Sequence, residues 1–257
     1  MVEKRLAEAM VGVLFRDLKN EFQPKQLTNY VLVRLGDYLR EKTGTPRAAL
    51  DYYNEVVGRE DQSYRFNANF GLADILGTSA SPAEKLKAVQ SLEHVFKNAP
   101  EKKQQERALF RIVEILKEKG DWGDVTTRAK EYLTTEGYRR YSGKVSFMLS
   151  QSYDKRGLRE DAILAYNNTW AGYTGLLEVS APAMKRVMEL VWERNTGDDH
   201  QQAYNIGYKY RESTKHLMNN PKVKDKEKEL WQEVADLVQT YEDDSSVTRI
   251  VEEKKKK

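Results

Sequence analysis

Apolar residues recur along this chain at steps of three and four, the spacing that gathers side chains on one face of an α-helix. Within 107–118, Leu109, Phe110, Val113 and Leu116 share a side, with Ile112 beside them. Phe147, Leu149 and Tyr153 repeat the arrangement within 145–153. No long stretch alternates with the period of two expected of a half-buried strand. The pattern predicts about a dozen helices and no sheet. Pro24, Pro46, Pro82, Pro100, Pro182 and Pro221 punctuate the periodic stretches. They are expected outside helix interiors, where each would cost about 3 kcal/mol. "TP" at 45–46 reads as an N-cap followed by a first helical residue, and "SPAE" at 81–84 as a capping box, so helices are expected to start near 46 and 82.

The stretch "SQSYDKRGLREDAILAY" at 150–166 carries the architecture. Its first half is helical from about 143 to 156. Gly157 supplies a residue able to adopt positive φ at a helix end, and a second helix restarts near 159. The reading is two antiparallel helices joined by a tight turn; a single kinked helix is the alternative. Counting from Ser150, the next marks are Tyr153, Gly157, Ala162, Tyr166 and Thr169. The same offsets from Val113 meet Leu116, Gly120, Val125, Ala129 and Tyr132. Gly36, Leu39, Gly44, Ala49 and Tyr53 form a related set, with one extra residue in the turn. Gly71 heads another, whose displaced second helix has Ala88, Leu92, Val95 and then Pro100. A weaker fifth has Trp192, Gly197, Ala203 and Tyr210. The second-helix anchors Ala49, Ala88, Val125, Ala162 and Ala203 are separated by 39, 37, 37 and 41 residues.

A small residue on each helix of a pair admits close approach, and the aromatic side chains fill the space toward the next pair. The fourth pair is expected to bury Leu149, Tyr153, Ile163, Leu164 and Tyr166. One such pair cannot bury enough surface to stand alone, so the pairs must fold as a stack. Flanking them, 1–24 reads as a single capping or orphan helix, 221–243 as a closing helix and 244–257 as a disordered basic tail.

Across roughly 27–219 the pattern resembles the tetratricopeptide repeat family, whose unit is a helix–turn–helix of about 34 residues. The expected fold is all-α: an α-solenoid of about five helix–turn–helix repeats over 25–220, wound as a right-handed superhelix, with single helices at each end. The resemblance implies a concave groove lined by the first helices of successive pairs. Its positions here are Tyr30, Val33, Asp37 and Arg40; Arg107, Phe110, Glu114 and Lys117; and Lys144, Phe147, Gln151 and Asp154. Phe110 and Phe147, at equivalent places, imply an apolar strip for a partner. Some family members grip a peptide's terminal carboxylate. Asn69, Arg107 and Arg111 match part of that clamp, whereas Val33 and Asp37 replace its first-unit Lys and Asn, and Asp37 would repel a carboxylate. A complete clamp is therefore not expected, and a simpler contact of Arg107 and Arg111 with an acidic group is left open.

Composition narrows the classes. Of 257 residues, 39% are apolar, 32% charged and 10% aromatic, a balance that suits a helical protein with much surface per residue. The net charge of +3 resides entirely in 249–257, and the other 248 residues balance at 38 basic against 38 acidic. That argues against a nucleic-acid surface, which requires clustered positive charge. The terminal "EEKKKK" reads as a solvated tail, native or appended. Absence of cysteine excludes disulfides, thiolate catalysis and cysteine-based zinc sites. No apolar run reaches transmembrane length, and the opening 15 residues make a poor signal peptide. A soluble protein is expected, cytoplasmic by default or periplasmic if a signal was removed.

No catalytic arrangement emerges. There is no phosphate-binding glycine loop, and His94, His200 and His216 lack ligand spacing. Asp198 and Asp199 read as caps of the next helix. "NNT" at 167–169 falls inside a helix, and the four tryptophans read as packing residues. No cofactor or metal is expected. The reading is a non-enzymatic interaction scaffold that binds a peptide or protein in the groove, with the oligomeric state open. The alternative is a helical arm or fragment of a larger bacterial envelope assembly protein or enzyme, and a weaker one is a small enzyme using a pocket between helices.

Overall fold

The structure, a computed structural model, describes residues 2–42 and 44–250. Among them are twelve α-helices and no strand. They form two compact bodies, Met1–Gly120 and Asp121–Lys257. The first holds α1 (Val2–Glu21), α2 (Asn29–Lys42), α3 (Leu50–Gly58), α4 (Arg65–Leu76), α5 (Pro82–Asn98) and α6 (Lys102–Lys119). The second holds α7 (Trp122–Thr134), α8 (Ser142–Lys155), α9 (Arg159–Gly172), α10 (Leu177–Arg194), α11 (Asp199–Thr214) and α12 (Asp225–Glu242). The boundary between bodies falls in the α6–α7 turn, inside the array expected over 25–220.

Within the first body, α2 pairs with α3 and α4 with α5, and each helix packs on the next up to α6. The small positions work as the sequence predicts. Tyr53 of α3 is fully buried, its ring wedged between Gly36 of α2 and Gly71 of α4. A Cβ at residue 36 would lie 2.6 Å from the ring, and one at residue 71 only 2.3 Å. The ring thereby joins the first helices of two successive hairpins, and its hydroxyl donates to Asp37 Oδ1 at 2.8 Å. All five second-helix anchors, Ala49, Ala88, Val125, Ala162 and Ala203, are fully buried.

In the second body the 150–166 stretch is two helices, α8 and α9, turned at Gly157 with φ +73°. Ser150 and Thr169, both fully buried, join the pair through their hydroxyls at 3.0 Å, and Ser146 meets Thr169 at 2.7 Å. Thr169 therefore spends its hydroxyl inside the helix pair. Further along, the Trp192 ring of α10 stacks on His200 of α11 at 3.9 Å and on Tyr241 of α12 at 3.8 Å. Those stacks tie the closing helix to the last hairpin.

Several local expectations change. Pro46 opens a 3₁₀ turn, Pro46–Ala49, and α3 itself starts at Leu50. Ser81 does cap α5, accepting from Glu84 N at 3.5 Å. The Glu84 carboxylate does not complete the box; it turns to Arg47, at 2.6 and 3.1 Å. Pro182 sits inside α10 rather than outside a helix. Leu164 is 62% exposed, because it projects away from the buried face of α9 that carries Ala162 and Tyr166.

The expected disordered tail also needs correction up to residue 250. Thr248 N donates to Gln201 Oε1 at 2.6 Å, and Gln201 Nε2 returns a bond to Thr248 O at 3.1 Å. Ile250 N donates to the Tyr204 hydroxyl at 3.2 Å. Side chains of α11 thus satisfy an extended backbone that has no regular partner of its own. Residues 251–257, the remainder of the expected tail, lie outside the described residues.

Candidate binding surface

The first helices of the N-terminal body, α2, α4 and α6, meet through charge. Asp74 of α4 is the junction. Its Oδ2 accepts from Arg40 of α2 at 2.9 Å, and Arg111 and Arg107 of α6 approach the carboxylate at 3.8 and 4.0 Å. Asp37 and Glu41 flank Arg40 at 3.4 and 2.8 Å, and Glu114 takes Arg111 at 2.6 Å. Burial, then the bond to Asp37, pushes the Tyr53 phenol above its ordinary value, so that hydroxyl remains a donor to this network.

Arg107 is held differently from its neighbours. Its guanidinium lies 4.4 Å over the Phe70 ring while its side chain stays 51% exposed. Stacking fixes the fork, and its contact with Asp74 sits at the limit of an ion pair. At the other end of these helices Tyr30 and Tyr64 are 52% and 44% exposed, their ring centroids 5.5 Å apart. Tyr64 precedes α4 in the left-handed region, φ 61° and ψ 6°, a conformation a bulky side chain rarely adopts.

The sequence-derived positions divide into three groups. Tyr30, Arg107 and Arg111 lie on this first-helix surface. Phe110 does not offer an exposed apolar strip: it is 7% exposed. Asn69 is buried too, and donates to the Arg65 carbonyl at 3.0 Å, in a hollow between α3, α4 and α5 rather than beside Arg111. In the C-terminal body Lys144 pairs with Glu178 at 3.3 Å, and Gln151 is half-buried, with its Oε1 unbonded. Phe147 is half-buried and packs 5.8 Å from Tyr166. The two phenylalanines therefore serve the core, and the exposed aromatic surface falls to Tyr30 and Tyr64.

Asp74 is the residue that sequence reasoning missed. It lies three residues after Gly71, between the offsets that the groove positions occupy, and its importance arises only once α2 and α6 flank α4. The C-terminal body has a counterpart in Asp154 of α8, which takes Arg186 of α10 through both oxygens at 2.7 and 3.2 Å. Arg186 also reaches Glu189 at 3.0 Å.

No group of three or more His, Cys, Asp or Glu side chains among the described residues is placed to hold a metal ion. No helix among them is long and apolar enough to cross a membrane. Chemically the surface offers fixed guanidinium donors, aromatic faces and interleaved carboxylates, the constituents of a polar contact surface.

No family model and no curated protein matches the chain. Among solved structures it is similar to one titled "MamA RS-1 ArsTM double mutant", a protein containing tetratricopeptide repeats. The TM-score is 0.53 at 14% identity, covering 74% of this chain and 96% of that one. Identity at that level carries the fold alone: this chain has an all-α, tetratricopeptide-like fold of successive helical hairpins.

Proposed function

We propose that this protein is a non-enzymatic interaction scaffold that takes a peptide or an extended protein segment on the first-helix face of its N-terminal body. The observation that carries the reading is Arg107, stacked on Phe70 and half exposed beside the Asp74 junction. An arginine already ordered by stacking loses little further freedom on binding, and arginine and tyrosine dominate binding hot spots. Tyr30 and Tyr64 supply aromatic surface on α2 and at the start of α4. The tetratricopeptide-like fold supports a role in protein interaction.

The test starts from peptides selected by display against the intact protein. Their affinities are then measured for wild type, Arg107→Ala and Tyr30→Ala. Weakening of about tenfold or more in each variant, with melting temperature unchanged, is expected of contacts at the centre of a binding surface. Equal affinity for all three proteins would refute the assignment.

A further inference from the structure

A second feature of the N-terminal body lies away from the first-helix surface. Val57 of α3, Arg65 and Asn69 of α4, and Gln90, Ser91 and His94 of α5 line a solvent-open hollow of about 330 Å³. Five of the six are polar and none is acidic, in a chain with 40 Asp and Glu. Arg65 is the only cation in the lining. Its guanidinium bonds go to Gln62 Oε1, to the Val57 carbonyl at 2.6 Å and to the Arg59 carbonyl at 3.4 Å. None of its bonds among the described residues goes to a carboxylate, and its buried Nε meets no acceptor.

The remaining groups are similarly underused. Neither Gln90 nor Ser91 makes a side-chain hydrogen bond to the described residues, and Gln90 is exposed to solvent. Asn98 Nδ2 lies 3.4 Å from His94 Nδ1. The same Asn98 Nδ2 donates to the His94 carbonyl at 2.8 Å, and the imidazole lines the hollow. Asn69, almost wholly buried, gives its amide to Arg65 O. The lining thus offers a guanidinium, an imidazole, a serine hydroxyl and a glutamine amide, beside the amide oxygens of Asn69 and Gln90, and it holds a cation with no carboxylate.

From this juxtaposition we infer that the α3–α4–α5 hollow is a binding site for an oxyanion, a carboxylate or phosphoryl group borne by a small organic residue. Charge-assisted hydrogen bonds from a guanidinium and neutral donors select an oxyanion over a neutral amide. The hollow is open to solvent and so leaves room for a group that bears the anion. The site stands apart from the α2–α4–α6 surface, and the inference holds whether or not a peptide binds there.

The probes are the N-acetyl methylamides of glutamate, phosphoserine and glutamine, with inorganic phosphate as a fourth arm. Each is titrated into the intact protein, following the side-chain amide signals of Asn69 and Gln90 and the imidazole signals of His94. The site predicts saturable shifts at all three residues with the glutamate or phosphoserine derivative, and none with glutamine. The tighter of the two names the oxyanion, and inorganic phosphate shows whether the carrier contributes. The double variant Gln90→Ala/Ser91→Ala leaves the Arg65 bonds to α3 in place and should weaken binding about tenfold. Equal shifts with glutamine, no shift with either acid, or unchanged affinity in the double variant would each overturn the assignment.

Discussion

Tyr53 of α3 lies so close over Gly71 of α4 that a Cβ at residue 71 would stand 2.3 Å from the ring's Cζ. Gly36 closes the other side of the same ring. No rotamer change frees a ring held on both faces, so Gly71→Ala should force a backbone shift. The expected loss is about 1–3 kcal/mol in urea unfolding, although alanine is the better helix former. The double variant Gly71→Ala/Tyr53→Leu should recover part of that loss, because the two sites share one space. Additive losses would show that the glycine serves some other purpose.

Asp74 carries three arginines, yet its pairs are partly exposed. Asp74→Asn should therefore cost little stability, about 1 kcal/mol or less. Its effect on recognition should be larger. Without the carboxylate, Arg107 keeps its stack on Phe70 and Arg111 keeps Glu114, so the surface becomes more basic without collapsing. Acidic peptides should bind Asp74→Asn several-fold tighter than wild type, with the difference shrinking as salt rises. Calorimetric titration at two ionic strengths measures both.

A third expectation concerns pH. Asp199 accepts from the Arg194 guanidinium at 2.6 and 3.0 Å, then from Thr196 N at 2.8 Å, and these bonds hold its carboxyl well below the ordinary aspartate value of 3.8. A lowered folded-state value means that the stabilisation is complete above the unfolded value and is lost as pH falls below it. The melting temperature of wild type should exceed that of Asp199→Asn above about pH 5, and the difference should narrow steadily from there down to about pH 2 without vanishing by pH 3. A constant difference across that range would contradict the assignment.

Tyr64 combines an exposed ring with a backbone conformation suited to glycine. Tyr64→Gly relieves a strain of about 1–2 kcal/mol but enlarges the freedom of the unfolded chain by a comparable amount. Stability should change by less than about 1 kcal/mol, while selected peptides lose affinity with the ring. Thermal unfolding together with peptide titration separates the two effects.

Much of this arrangement was legible in the sequence, for a physical reason. Ala49, Ala88, Val125, Ala162 and Ala203 mark places where backbones come close, and close approach restricts residue type wherever it recurs. Gly157 marked a helix end for a similar reason. What stayed hidden depends on neighbours distant in the chain. Asp74 matters because α2 and α6 flank α4. Phe110 fits an exposed groove position by count, yet packing buries it. Gln201 holds Thr248 through its side-chain amide and Tyr204 holds Ile250 through its hydroxyl, interactions with no periodic trace. Asn69 was recognised as a binding candidate, but its setting, a hollow shared with Gln90, Ser91 and His94, required α5 to be placed.

The most direct test of the scaffold reading is hydrogen–deuterium exchange of the intact protein with and without a display-selected peptide. The account predicts slowed exchange in α2, α4 and α6, strongest around Tyr30, Tyr64 and Arg107. Slowing confined to α3 and α5, or to helices of the C-terminal body, would contradict it.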